Sequence, residues 1–200
     1  MDQPQARPPQ VYLASASPRR QELLGQIGVN FQQLSVNVEE QKDEAETPEQ
    51  YVKRVALDKA IAGWNAEARV LNIPVLGADT EVVVDGQVMG KPQDHRHAME
   101  LLDKLSGNEH QVISVVALVQ GSRQQLLVNF NKVNFRDLSQ EEKQAYCESG
   151  EPFGKAGGYG IQGLAAAFIS DLEGSYTGVM GLPLYETSLL LREFGIDVLK

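Results

Sequence analysis

Strand and helix signals alternate along most of the chain, and this alternation constrains the fold more than any other feature. Short apolar or alternating runs predict β-strands at residues 11–15, 34–38, 75–84, 112–119 and 125–135. Capping residues before periodic apolar positions predict helices at about 18–27, 48–66, 95–106, 140–149 and 183–194. Strands interleaved with helices favour an α/β or α+β domain.

The helix starts carry specific capping signals. Thr47 is followed three residues later by Gln50, and Ser139 by Glu142, so both segments fit a capping box. Ser17 precedes a proline and is a favourable N-cap for the first helix.

Length and composition limit the class of protein. The 200 residues suit one domain, or two lobes around a shared cleft. Residues 1–10 contain three prolines and no apolar core, so we expect a flexible lead-in rather than a signal peptide. No apolar run is long enough to cross a bilayer, and we expect no membrane partner. The single cysteine, Cys147, excludes an internal disulfide and fits a structural thiol, and a cytoplasmic location is expected.

The formal net charge of −9 bears on possible ligands. Binding of a long nucleic-acid polymer usually needs an extended basic surface, so we expect no such partner. A small anion held in a locally basic pocket remains compatible with this composition.

The loop at residues 13–20 joins the first strand to the first helix and places Arg19 and Arg20 in the first helical turn. The helix dipole disfavours cations at that position. A bound anion would offset this cost, because guanidinium groups and free backbone N–H groups together form a phosphate site. The alternative is two solvated arginines on a surface turn.

Lys59 interrupts an apolar helix face. Val52, Val55, Ala56 and Gly63 lie on one stripe of the second helix, and Lys59 falls in its middle. A lysine at such a position either extends its ammonium group to solvent or meets a negative partner.

Asp79 lies inside an otherwise apolar predicted strand, where a charge is costly unless it is paired or bound to a metal. Glu40 follows the earlier alternating segment. These two carboxylates are suitable ligands for a hard cation such as Mg²⁺ or Mn²⁺. The alternative is a structural salt bridge from Asp79 to Lys59 or Lys91.

The glycine-rich segment at residues 154–163 includes Lys155 and Gln162. Its glycines allow close backbone approach to a ligand, and Gln162 is able to hydrogen-bond a base edge. A flexible turn is the simpler interpretation. The three histidines have no metal-binding spacing and are interpreted as structural.

Several short motifs occur in one order along residues 11–194. They are Leu-Ala-Ser-x-Ser-Pro-Arg-Arg (13–20), Glu-Glu (39–40), Asp-Lys-Ala (58–60), Gly-Ala-Asp-Thr (77–80), Gly-Lys-Pro (90–92), Leu-Ser-Gly (105–107), Lys-Ala-Gly-x-Tyr-x-Ile-Gln-Gly (155–163) and Gly-Leu-Pro (181–183). Each motif alone has low specificity, but the ordered set resembles the Maf family of nucleotide pyrophosphatases.

The resemblance implies a single Maf-like domain over residues 11–200. Its fold would be α/β, of the Maf and inosine-triphosphatase type: a twisted mixed β-sheet flanked by helices, with two lobes around a cleft. The implied reaction is hydrolysis of a nucleoside triphosphate between the α- and β-phosphates, giving a monophosphate and pyrophosphate. The resemblance also implies a homodimer and a divalent cation, Mg²⁺ or Mn²⁺.

The resemblance assigns roles by matching positions. Asp79 would accept the proton of the attacking water and, with Glu40, would bind the metal. The implied substrate-binding residues are Ser15, Arg19, Arg20, Lys59, Thr80, Lys91, Lys155 and Gln162. Phosphoryl transfer needs neutralisation of negative charge and a positioned water molecule. The metal and the cationic side chains would supply the first, and the carboxylate of Asp79 would supply the second.

Three positions resemble the branch of the family that acts on dTTP and UTP: Arg19 after the proline, Thr80 after Asp79, and Gln162. We therefore expect dTTP, UTP and modified pyrimidine nucleotides as substrates. The chain departs from the family pattern at Gly154, which replaces an aspartate, and at Glu81, which replaces an apolar residue. The alternative function is a low-turnover nucleotide-binding regulator linked to septum formation.

Overall fold

The computed structural model describes residues 8–66 and 69–198. Its strands are β1 (Val11–Leu13), β2 (Phe31–Gln33), β3 (Val75–Val84), β4 (Gln87–Val88), β5 (Glu109–Gln120), β6 (Arg123–Phe135) and β7 (Ile169–Glu173). Its helices are α1 (Pro18–Gln26), α2 (Pro48–Trp64), α3 (His95–Leu105), α4 (Gln140–Glu148), α5 (Tyr176–Met180) and α6 (Leu184–Glu193). Two 3-10 helices, Ala156–Gly158 and Leu164–Phe168, lie between α4 and β7.

The strands form one mixed sheet in the order β2-β1-β3-β5-β6-β7, and β4 pairs with β3. β1 is parallel to β2 and β3, whereas the other pairs are antiparallel. Helix α2 packs on one face of the sheet, and α1 and α6 pack on the other. The predicted α/β class with a mixed sheet flanked by helices is confirmed.

One edge of β3 is shared between two short strands. β1 pairs with Val75 and Leu76 at its start, and β4 pairs with Val83 and Val84 at its end. Within the described ranges, residues 77–81 have no partner strand on that edge. Because the sheet edge is interrupted there, a cleft opens beside the middle of β3.

Separate apolar clusters lie on the two sides of this cleft. One packs α3 and α4 against residues such as Val112 and Phe135. Another packs α1 and α6 against residues such as Leu13 and Val116. This arrangement agrees with two lobes around a cleft.

Gly77 and Gly63 allow α2 to approach the sheet closely. A Cβ atom on Gly77 would lie 2.4 Å from the Ala56 carbonyl oxygen and 2.6 Å from the Ala60 nitrogen. A Cβ atom on Gly63 would lie 2.7 Å from Cγ1 of Val75. The close approach brings the apolar stripe of α2, and Lys59 within it, against β3.

The predicted helix starts at Thr47 and Ser139 are confirmed, since both residues form complete capping boxes. Ser17 is the N-cap of α1, but its side chain forms no capping hydrogen bond. The short helix α5, capped by Ser175, was not predicted.

The predicted strand at residues 34–38 is wrong, because β2 lies at Phe31–Gln33 and ends before it. The alternation is still present in the burial: Leu34 is buried, its neighbours 33 and 35 are exposed, and Val36 and Val38 are half-buried. These residues pack against α2 and β1. Leu34 donates its backbone N–H to the Leu13 carbonyl oxygen at 2.9 Å, but the residues after it form no strand. Burial of alternate side chains therefore produced a strand-like pattern in a loop.

Most of the predicted lead-in, residues 1–7, lies outside the described residues. Gln10 is tied to the fold, since its backbone N–H donates to the Asn30 carbonyl oxygen at 2.7 Å. In the described part of the chain, no helix has the length and apolar character needed to span a membrane.

Candidate active site

A cleft of about 580 Å³ lies beside the middle of β3, a volume typical of small-molecule sites. Its walls are the loop from β1 to α1, β3 itself, the segment before the first 3-10 helix and the end of α5. The predicted site residues that line it are Ser15, Arg19, Arg20, Glu40, Lys59, Asp79, Thr80, Lys91 and Lys155. The fold thus brings together residues from six separate parts of the sequence.

The cleft is basic although the chain is acidic. Five cationic side chains and three carboxylates line it, so its formal charge is +2 when all are ionised, against −9 for the whole chain. The cations are Arg19, Arg20, Lys59, Lys91 and Lys155, and the carboxylates are Glu40, Asp79 and Glu81. A local excess of positive charge attracts a small polyanion.

Arg20 is fixed by contacts within the protein. Its Nε donates to the Gly181 carbonyl oxygen at 2.8 Å, and its terminal nitrogens donate to Ser15 Oγ at 3.3 Å and Thr80 Oγ1 at 3.4 Å. Thr80 Oγ1 also lies 2.9 Å from Ser114 Oγ. Ser15 and Thr80 therefore position Arg20 in the ligand-free cleft, in addition to their proposed contact with substrate.

Arg19 differs from Arg20, because it forms no hydrogen bond or ion pair with the described residues. It lies close to Lys155: a Cβ atom on Gly160 would be 3.1 Å from Lys155 Cε and 3.7 Å from a terminal nitrogen of Arg19. Burial lowers the pKa of Lys155, and the positive charge of Arg19 lowers it further. Both cations are thus held near each other at the start of α1, where the helix dipole also disfavours them.

Lys59 has two negative partners. Its Nζ lies 2.6 Å from Glu40 Oε1 and 2.8 Å from Asp79 Oδ1, and the side chain is buried. Lys91 binds the other oxygen of Glu40, at 2.8 Å. Lys59 was expected either to extend to solvent or to meet a negative partner, and the negative partner is observed. The salt bridge considered for Asp79 is formed with Lys59 and not with Lys91.

The two glutamates of the cleft differ in pKa. Burial opposes ionisation of Glu40, but hydrogen bonds from Lys59 and Lys91 lower its pKa to about 2. Burial raises the pKa of Glu81 to about 8, and the negative charge of Asp79 adds to this rise. Glu40 is therefore stabilised as an anion, whereas an ionised Glu81 lacks sufficient compensating positive charge.

Two carboxylate oxygens in the cleft are buried without a hydrogen-bond partner among the described residues: Asp79 Oδ2 and Glu81 Oε2. Buried anionic oxygens of this kind suit a hard cation. No cluster of three or more His, Cys, Asp or Glu side chains able to hold a metal is found within residues 8–66 and 69–198. The carboxylates fit a cation that takes its remaining ligands from water and from the phosphates of a bound nucleotide, as is usual for Mg²⁺.

Gln162 is the predicted site residue that the fold leaves outside the cleft lining; its side chain is exposed. It lies two residues after Gly160, which is close to the Arg19 and Lys155 side chains of the cleft. Gly154 lines the cleft with a φ of +75°, in the left-handed region that favours glycine.

Two contributors to the site were not identified as such from the sequence. The Gly181 carbonyl oxygen, which binds Arg20, has no local signal because it acts through its backbone. Glu81 was noted only as a departure from the family pattern. Its position two residues after Asp79 in an apolar strand places it on the same face, and this spacing was a usable signal.

Fold and site together define an α/β protein with a basic cleft built for a small polyanion, with buried carboxylates available to a cation. The family model described as "Maf-like protein" matches residues 10–194, and the chain belongs to this family.

Its relatives include proteins named dTTP/UTP pyrophosphatase. The one from Bordetella parapertussis is 53% identical over 199 residues, covering 96% of each chain. Those from Saccharophagus degradans and Methylococcus capsulatus are 49% and 50% identical, covering 94% and 96% of this chain and 90% and 94% of their own. Among solved structures, the Ham1 protein of Staphylococcus aureus is similar over 70% of this chain and 98% of its own, with TM-score 0.42 and 16% identity, and no conclusion depends on that similarity.

Proposed function

We propose that this chain is a nucleoside triphosphate pyrophosphatase that hydrolyses dTTP, UTP and modified pyrimidine nucleotides to the monophosphate and pyrophosphate. One observation carries the mechanism: Asp79 has one oxygen held by Lys59 and a second, buried oxygen without a hydrogen-bond partner among the described residues. The names of relatives about 50% identical over nearly the whole chain support the reaction and the two nucleotides.

Asp79 is the proposed general base. Lys59 fixes the orientation of the carboxylate through Oδ1, which leaves the two lone pairs of Oδ2 available for the cation and for a proton from water. The water oxygen forms a bond to the α-phosphorus, the bond from that phosphorus to the oxygen bridging the α- and β-phosphates breaks, and pyrophosphate leaves with the electron pair. A positioned carboxylate contributes about 10²- to 10⁴-fold to such a step.

The cations of the cleft are the proposed phosphate ligands. Arg19 and Lys155 lie close together, and after burial the charge of Arg19 is the next largest factor that lowers the pKa of Lys155, so a triphosphate would relieve their mutual repulsion. Arg20 is already held by Ser15 and Thr80 and presents an oriented guanidinium group. Gln162 is the proposed contact to the base.

A divalent cation, Mg²⁺ or Mn²⁺, is part of the proposal, with Asp79 and Glu40 as ligands. When bound, it would neutralise charge on the phosphates. Both oxygens of Glu40 now accept from Lys59 and Lys91. Phosphate oxygens would compete for these two lysines, and Glu40 would then be released toward the cation.

Pyrophosphate release from dTTP, UTP, CTP, GTP and 7-methyl-GTP, with Mg²⁺ or Mn²⁺, tests the function. We expect turnover of dTTP and UTP, and a fall in kcat of about 10²- to 10⁴-fold in Asp79→Asn, which keeps the shape of the side chain and removes the base. Near-normal turnover by a folded Asp79→Asn would remove Asp79 from the mechanism. If the wild type binds dTTP but releases no pyrophosphate, the alternative function, a nucleotide-binding regulator linked to septum formation, would replace the proposed enzymatic function.

A homodimer in the cytoplasm completes the proposal. Light scattering coupled to size-exclusion chromatography should then give twice the chain mass of 22.0 kDa.

A further inference from the structure

Glu81 is a buried carboxyl group of the cleft that forms no ion pair with the described residues. It is 7% exposed and lies in the middle of β3, where its nearest sequence neighbours on the same strand are mostly apolar. Its Oε2 is buried and has no hydrogen-bond partner among the described residues. A buried carboxyl oxygen without a partner is costly, and a ligand that supplies the missing interaction would remove that cost.

Asp79 presents a second such oxygen on the same face of the strand. Residues two apart in a strand point to the same side, which places Asp79 and Glu81 next to each other along β3. Asp79 is also buried, at 6% exposure, and its Oδ2 has no hydrogen-bond partner in the described part of the chain. Two adjacent carboxyl oxygens without hydrogen-bond partners among the described residues thus lie in one region of the cleft.

The two lysines near this pair already have carboxylate partners, and neither forms an ion pair with Glu81 in the described part of the chain. Lys59 lies between Asp79 Oδ1 and Glu40 Oε1, and Lys91 binds Glu40 Oε2. A phosphate group alone would increase the repulsion, because it brings further negative charge toward the two oxygens. Both oxygens would be suitable ligands for a hard cation, which would also offset the negative charge of a phosphate.

We propose that Glu81 is a second cation-binding carboxylate, which acts with Asp79 to hold the divalent metal against the phosphates of the nucleotide. This inference rests on the proposed function, because it assumes that the metal is the divalent cation that binds together with the nucleoside triphosphate. Two carboxylates supplemented by substrate oxygens are a usual coordination for Mg²⁺.

Mn²⁺ binding without nucleotide tests the proposal, with free Mn²⁺ followed by electron paramagnetic resonance. We expect Glu81→Gln to weaken Mn²⁺ binding by at least about tenfold, since even outer-shell changes commonly cost about 10- to 100-fold in metal affinity. In EDTA, the Tm of Glu81→Gln should equal or exceed that of the wild type, because the variant no longer buries an uncompensated carboxylate.

Asp85→Asn is the matched control. Asp85 lies in the exposed turn after β3 with a φ of +49°, which asparagine also tolerates, so this variant removes one negative charge outside the cleft. It should bind Mn²⁺ as the wild type does. If Mn²⁺ affinity falls equally in Glu81→Gln and Asp85→Asn, the change in overall charge explains the loss and the proposal is overturned.

A second variant, Glu81→Asp, keeps the charge and shortens the side chain, and it should retain part of the affinity even if Glu81→Gln folds poorly. Wild-type Mn²⁺ affinity in folded Glu81→Gln would overturn the proposal even if dTTP is hydrolysed. Mn²⁺ binding that depends on Glu81, in a protein that releases no pyrophosphate, would instead contradict only the proposed function.

Discussion

Gly77 controls how closely α2 approaches β3, and Gly77→Ala should therefore damage the site without altering any charged group. The added Cβ would lie 2.4 Å from the Ala56 carbonyl oxygen, about 1 Å inside an ordinary contact of 3.4 Å. It would also lie 2.6 Å from the Ala60 nitrogen. Both atoms belong to the helix backbone, so rotation of a side chain cannot relieve the overlap, and α2 must move outward.

We expect this movement to reduce both stability and turnover. Overpacking of this kind costs about 1–3 kcal/mol, which for a chain of this size lowers the Tm by about 2–12 °C. The contact between Lys59 Nζ and Asp79 Oδ1, now 2.8 Å, spans the same interface. Displacement by about 1 Å should lengthen it and lower kcat by about 100-fold.

Thermal unfolding and pyrophosphate release from dTTP measure the two effects, with Gly25→Ala as the control. Gly25 lies in α1, and an added Cβ there would have no atom within 4 Å. The same substitution should therefore be neutral or stabilise the protein by about 0.5–1 kcal/mol. Wild-type Tm and kcat in Gly77→Ala would refute the argument that this glycine sets the position of Lys59.

Two further predictions follow from charges outside the carboxylate pair. Burial lowers the pKa of His110 to about 4. As the pH falls from about 6.5 to 4, the unfolded chain therefore gains this proton while the folded chain does not. The free energy of unfolding should decrease by about 3 kcal/mol over that range. Denaturation curves of His110→Gln should lack this part of the decrease, and parallel pH profiles for variant and wild type would contradict the assignment. Arg19→Ala should raise the KM for dTTP by about 10- to 100-fold, because a charge-assisted hydrogen bond to the substrate is lost. The ligand-free Tm of this variant should be unchanged or higher, because the charge of Arg19 repels Arg20 and Lys155 and lowers the pKa of both. An unchanged KM would return Arg19 to the role of a solvated surface residue.

Local chemistry explains why much of the fold was predictable. The capping boxes at Thr47 and Ser139 depend on residues three positions apart, so the sequence alone identifies them. The apolar stripe around Lys59 follows from helical periodicity in the same way. The strand expected at residues 34–38 was wrong because alternate burial does not require a partner strand, and strand pairing depends on distant residues.

By itself, the sequence determined the α/β class, the positions of most helices and the set of residues that carry the chemistry, because these depend on short-range spacing and on an ordered set of motifs. Only the tertiary structure decided which charges meet. Arg20 is held by Gly181, 161 residues away, whereas the adjacent Arg19 has no hydrogen-bond or ion-pair partner among the described residues. Lys59 pairs with Asp79 and Glu40, and Glu81 forms no ion pair with the described residues, because the close packing of α2 on Gly77 fixes distances that sequence spacing does not determine.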